Sequence, residues 1–304
     1  MSSGPGTGSV LESINQGNGC SAPAVAATIF PIADVAQNIA GDRVKVITVL
    51  PPGASPHAFE PKPEQLKALA QAKGLIMVGG GLDDWAQGLV TSATANMALL
   101  NLYKVTSEGR GDASQPLPPG ASPHNAPLNP HLWLDPILVR DRLAPAIAGF
   151  LAQVDPQGKE VFQKNLVAYQ AQLTQLDQAI ATTLGPLKQR QFIQMHGAWD
   201  GFALRYGLAV LGTIEEHPGE EISAQEMAAI VARARQQKSR TGLPVPVIAE
   251  PQTNSQVAQA LAAEVGGAVY VLDPLGGPQL PGRNSYLALM DYNLTMWAKA
   301  LQGR

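Results

Sequence analysis

An α/β fold of two lobes with mainly parallel sheets, joined by one long backbone helix, is predicted by three observations. Short apolar runs alternate with helix-period segments along most of the chain. One apolar repeat near the middle persists far longer than any other. The strand-then-helix rhythm resumes after it, so similar units flank a central helix.

Residues 1–22 are rich in Gly and Ser and read as a flexible leader. From Ala24 the run V-A-A-T-I-F reads as a strand, 32–39 as a helix and 44–50 as a second strand. The segment 61–72 reads as a helix leading into the apolar run 75–78. Between 107 and 130 the chain is rich in Pro, Gly and Ser without apolar periodicity, which predicts a long surface loop. Asp155-Pro156 then supplies an N-cap and a proline for the first helical position. Phe162, Leu166, Tyr169, Leu173, Leu176, Ile180 and Leu184 recur in steps of four and three, and Gly185-Pro186 ends the pattern. A helix of that length spans on the order of 40 Å, enough to bridge two lobes. Beyond it, 192–195 reads as a strand, 201–206 as a helix and 209–213 as extended chain. The segment 224–237 reads as a helix, 245–249 as a buried strand, 257–265 as a helix, 269–272 as a strand and 286–301 as a closing helix. The division expected is a leader at 1–22, an N-terminal lobe at 23–150, a linker helix at 151–187 and a C-terminal lobe at 188–304, each lobe with its own core.

Composition narrows the function. The chain has 304 residues, 45% of them hydrophobic and 15% charged, as in a globular protein. A net charge of −3 offers no basic field for a nucleic-acid backbone. A lone cysteine, Cys20, excludes both an intrachain disulfide and a Cys-x-x-Cys zinc site. No apolar run is long enough to span a bilayer, and the first residues lack a signal peptide's basic-then-apolar pattern.

Five histidines are present: His57, His124, His131, His196 and His217. His57 follows the strand ending near Leu50, within P-P-G-A-S-P-H-A-F-E-P. His131 lies in N-P-H-L-W-L-D-P at the end of the proline-rich loop, and His196 follows the run 192–195. Asp273 follows the last strand in V-L-D-P-L-G. His57, His196 and Asp273 thus sit at or beyond strand C-terminal ends, where ligands bind in open α/β sheets. A cleft between lobes can gather His57 and His131 from one half with His196 and Asp273 from the other. Three imidazoles and one carboxylate suit tetrahedral zinc better than the hard cations that prefer all-oxygen sites. Three histidines with an open fourth position are also a catalytic zinc pattern, so a metallohydrolase is a rival reading, although H-E-x-x-H is absent.

These motifs, with H-G-A-W-D-G-F-A-L-R-Y-G-L and E-P-Q-T-N, resemble the zinc/manganese solute-binding proteins of ABC transporters, the ZnuA-like cluster A-I family. The resemblance runs in order from about Val25 to Leu301. It implies two four-stranded α/β lobes on a rigid long helix, with metal in the cleft. His57, His131 and His196 match the family's first three ligand positions and Asp273 the fourth. Manganese-type members resemble one another in carrying glutamate at the third position, so His196 places the chain on the zinc side. The function implied is extracytoplasmic zinc capture and delivery to an ABC permease, without catalysis. A manganese or iron carrier of the same fold is the alternative, a surface adhesin another, and a monomer is expected.

Departures from the family are visible. The loop between the first two ligands is proline-rich and holds only His124, rather than being rich in histidine and acid. Cys20 in G-N-G-C-S-A-P lacks the apolar run that precedes a lipoprotein anchor. P-P-G-A-S-P-H occurs at 51–57 and again at 118–124, which makes His124 a loop-borne counterpart of His57. Among other features, Glu60 is placed to orient His57, Gly79-Gly80-Gly81 predicts a tight turn rather than a phosphate cradle, and His217 lies solvated among glutamates. Trp133 and Trp199 lie close enough to proposed ligands to wall the site.

Overall fold

A computed structural model describes residues 22–69, 71–93, 97–107, 128–215 and 222–303. The leader with Cys20, the repeat with His124, and His217 lie outside the described residues.

Two four-stranded parallel sheets carry the fold. In the first, β1 (Ala24–Ala27), β2 (Lys45–Thr48), β3 (Gly74–Met77) and β4 (Ala98–Asn101) lie in the order β2-β1-β3-β4. In the second, β5 (Gln191–His196), β6 (Ala209–Glu215), β7 (Val247–Ala249) and β8 (Val269–Val271) repeat that order as β6-β5-β7-β8. The chain therefore steps to one side of β1 and of β5 before crossing to the other. Each sheet gains a crevice at the C-terminal ends of its two central strands, the place where α/β sheets receive ligands. The sheets, their parallel sense and the central helix match the sequence-based expectation. Strand β4 and the helix Trp85–Ala93 were not anticipated, because neither carries a long apolar period.

The helix Lys159–Leu184 has 26 residues, about 39 Å at ~1.5 Å each. All seven residues of its apolar stripe are buried. Its start departs from expectation. Asp155 opens a short 3-10 turn, Pro156–Gly158, and its carboxylate makes no cap bond. That carboxylate instead accepts from Arg43 Nε and Nη2 at 2.9 and 3.0 Å. A nearby guanidinium offers a charge-assisted, two-toothed contact that a backbone amide cannot match.

The largest apolar cluster does not stop at a lobe boundary. It runs from Ile32 and Ile39 through the long helix's stripe to Phe192, Trp199 and Trp297. Trp297, fully buried, stacks on Phe202 at 5.5 Å and meets Phe192 and Trp199 edge-on at 4.8 and 5.7 Å. Smaller cores lie on the remaining faces of the two sheets. The closing helix Tyr286–Leu301 is capped by Ser285, while Tyr286 N donates to Asp34 of the first lobe's helix at 2.8 Å. Both lobes are thus built on one shared apolar spine.

The glycine run forms the expected turn. Gly79, Gly80 and Gly81 all have positive φ (82°, 66° and 87°), a region closed to most side chains. Buried Asp83 closes the turn by accepting from the Val78 and Gly79 amides.

Candidate metal centre

His57 stands on a 3-10 turn, Pro56–Ala58, in the loop after β2. His131 immediately precedes another, Leu132–Leu134. His196 is the last residue of β5, a central strand of its sheet, and so sits at that sheet's crevice. The three rings converge. Their centroids lie 5.4, 5.2 and 4.8 Å apart, and one ligand nitrogen from each falls within 4.8 Å of the others. His57 Nε2 is 3.4 Å from His131 Nε2. Two nitrogens ~2.0–2.1 Å from one tetrahedral zinc stand about 3.3–3.4 Å apart, so this edge already has the length a shared ion needs. The rings open into a cavity of about 360 Å³, also walled by Trp133, Glu215 and Glu250.

Hydrogen bonds decide which nitrogens face the cavity. Asn129 Oδ1 receives the His131 backbone amide at 3.0 Å and lies 2.7 Å from His131 Nδ1. A backbone amide only donates, so the atom it meets is the oxygen of Asn129, and His131 Nδ1 must carry the hydrogen. The Nε2 lone pair of His131 is then left for a cation. His196 repeats the arrangement, with Nδ1 3.3 Å from Glu250 Oε2. An imidazole whose far nitrogen is held by an acceptor keeps its tautomer and orientation and becomes a better donor.

The two rings differ electrostatically. Burial, reinforced by the neighbouring His196 and His57, holds the His131 imidazole well below the usual histidine range. Burial also pushes His196 down, but the Glu250 hydrogen bond and charge, with Glu215 and Asp200, outweigh it and leave His196 raised. Burial raises Glu250 as well, against the opposing pull of the His196 hydrogen bond and charge. Replacing Glu250 by glutamine keeps the shape but removes the charge behind His196. Metal affinity is expected to fall on the order of tenfold, read by competition with a chromophoric chelator; an unchanged affinity would show the carboxylate to be idle.

Asp273 stands apart from this group. Buried, it follows β8, where Oδ1 accepts from the Leu275 and Gly276 amides at 2.9 and 3.0 Å. Its Oδ2 pairs with Arg283 at 2.8 Å. Its neighbours Pro274 and Leu275 line the cavity, but both its own oxygens are engaged. Of the sequence-based candidates, the described structure therefore gathers His57, His131 and His196. Trp133 walls the cavity as anticipated, and Trp199 is instead buried in the aromatic core. Glu250 and Asn129 were missed. Glu250 directly follows β7 and was accessible to the strand-end rule that found His196; nothing local marks Asn129.

Three imidazoles presented by loops and one strand end, in a cleft on a single rigid spine, define a metal-binding solute-binding protein. The chain belongs to the ZnuA family, matching "Zinc-uptake complex component A periplasmic" over residues 25–300. It is accordingly an extracytoplasmic, non-enzymatic metal-binding protein, which sets aside the metallohydrolase reading. It is 28% identical to the high-affinity zinc uptake system protein ZnuA of Yersinia pestis, over 92% of this chain and 91% of that one. It is 26% identical to the zinc-binding lipoprotein AdcA of Streptococcus pneumoniae, covering 89% of this chain but 54% of AdcA. The chain thus spans about half the length of that relative. A crystal structure of a ZnuA deletion mutant with zinc bound superposes with a TM-score of 0.75 at 32% identity, covering 93% of this chain and 99% of the other.

Proposed function

We propose that this protein captures zinc in the cleft through His57, His131 and His196 and delivers it to an ABC permease. The convergence of three imidazoles within 4.8 Å, with no carboxylate in the group, carries this reading. Three nitrogen donors favour zinc over manganese, which prefers oxygen ligands and stands lower in the affinity order. The 28% identity to a zinc uptake protein supports the same choice. For the fourth position we propose Asp273, which must give up Arg283 to reach an ion. Titration of metal-free protein with zinc, alone and against excess manganese, tests the assignment. One tightly bound zinc per chain that manganese does not displace is expected, and preferential retention of manganese would refute it. Asp273→Ala is expected to weaken zinc without unfolding the chain; unchanged affinity would leave the three histidines as the whole protein contribution.

The pH dependence follows from the two rings. Zinc needs bare Nε2 atoms, so affinity falls as imidazoles protonate. His196, raised above ~6.5, starts to lose zinc to protons before the pH reaches the usual histidine value, whereas His131, held well below it, does not compete there. Calorimetry at pH 6.5 in buffers of differing ionisation heat should therefore show no more than two protons released per ion, and three would contradict a neutral His131.

A further inference from the structure

The geometry points to Asn129 as a positioning residue that orients His131 and fastens it to the opposite lobe, so that His131 and His196 form one preassembled pair. The inference rests on the metal reading of these histidines. Asn129 uses both ends of its amide. Its oxygen holds the backbone amide and Nδ1 of His131, at 3.0 and 2.7 Å. Its nitrogen donates to the carbonyl of Gly197, next to His196, at 2.5 Å and to Asp200 Oδ2 at 3.1 Å. Asp200 is itself fixed, because Oδ1 accepts from Gln194 of β5 at 2.7 Å.

Neighbouring contacts run the same way. Every second residue from Asn129 to Asp135 faces the second lobe or the cleft. Trp133 Nε1 donates to the Pro274 carbonyl at 2.6 Å, and Asp135 accepts from Arg205 through three contacts between 2.8 and 3.1 Å. His131 precedes the linker helix in sequence, yet its segment is bonded on both sides to the lobe that carries His196. The Pro56–Ala58 turn is bonded within its own lobe, the Pro56 carbonyl accepting from Trp85 Nε1 at 2.9 Å.

Two variants separate a positioning role from a structural one. Asn129→Ala removes both ends of the bridge; zinc affinity is expected to fall roughly 10–100-fold, the range for loss of a ligand's outer partner. In the metal-free variant, nitrogen-15 spectra of the His131 ring should change from a single Nδ1–H form to a mixture of tautomers. Asn129→Asp keeps an acceptor for His131 but sets a carboxylate against Asp200. Adding Asp200→Asn restores that donor–acceptor pair in reversed sense, and part of the lost affinity should return, the Gly197 carbonyl still lacking its donor. The assignment is overturned if Asn129→Ala leaves both affinity and ring spectrum unchanged, or if the exchanged pair binds no better than Asn129→Asp alone. The ring spectrum is recorded without metal, so it still tests Asn129 should the wild-type protein prove not to bind zinc.

Discussion

Replacing His131 by alanine is expected to weaken zinc binding more than about 100-fold, exceeding the ~10–100-fold that loss of an outer partner produces. The ring is one of three converging donors and shares with His57 the edge of 3.4 Å that fits one ion. It is also held neutral by burial, so no proton need leave it when the metal arrives. The metal-free fold should lose little, because His131 contributes a desolvated ring at a cavity wall rather than core packing. Chelator competition together with thermal unfolding of the metal-free variant checks both halves. Retained tight binding would show that the three rings do not act on a common ion.

A second large effect is expected in the shared apolar core. Trp297→Ala should cost roughly 3–5 kcal/mol, the usual result of truncating a fully buried aromatic residue. Its ring meets Phe192, Trp199 and Phe202, within a cluster that continues through the long helix to Ile32 and Ile39. Because that core is shared, destabilisation should be felt in both sheets as one transition. Hydrogen exchange of the Ile76 amide in β3 and the Ile248 amide in β7 should accelerate together. Faster exchange in β7 alone would mean that the lobes unfold independently.

Much of this was legible in the sequence because it is written in local pattern. The stripe from Phe162 to Leu184 marked the linker helix, and all seven residues proved buried. His196 was placed at a strand end from the run Phe192–Met195 before it and is the last residue of β5. Less was legible where a side chain chose a distant partner. Asp155 was expected to cap a helix and pairs with Arg43, 112 positions away. Asp273, set beyond a strand by the sequence, lies there, and the sequence carried no sign that its oxygens would meet two backbone amides and Arg283.

Taken alone, the sequence determined which residues were available as ligands, that nitrogen rather than sulfur would bind the metal, and that two α/β units flank one helix. Those properties follow from residue chemistry and from spacings of a few positions. Tertiary structure decided which nitrogen His131 and His196 present, which lobe holds His131 and whether the cores are separate. Each depends on contacts such as Asn129 with Asp200, 71 positions apart, or Trp133 with Pro274, 141 apart. Chain periodicity carries no record of such pairings; they exist only once packing has brought the two segments within hydrogen-bond reach.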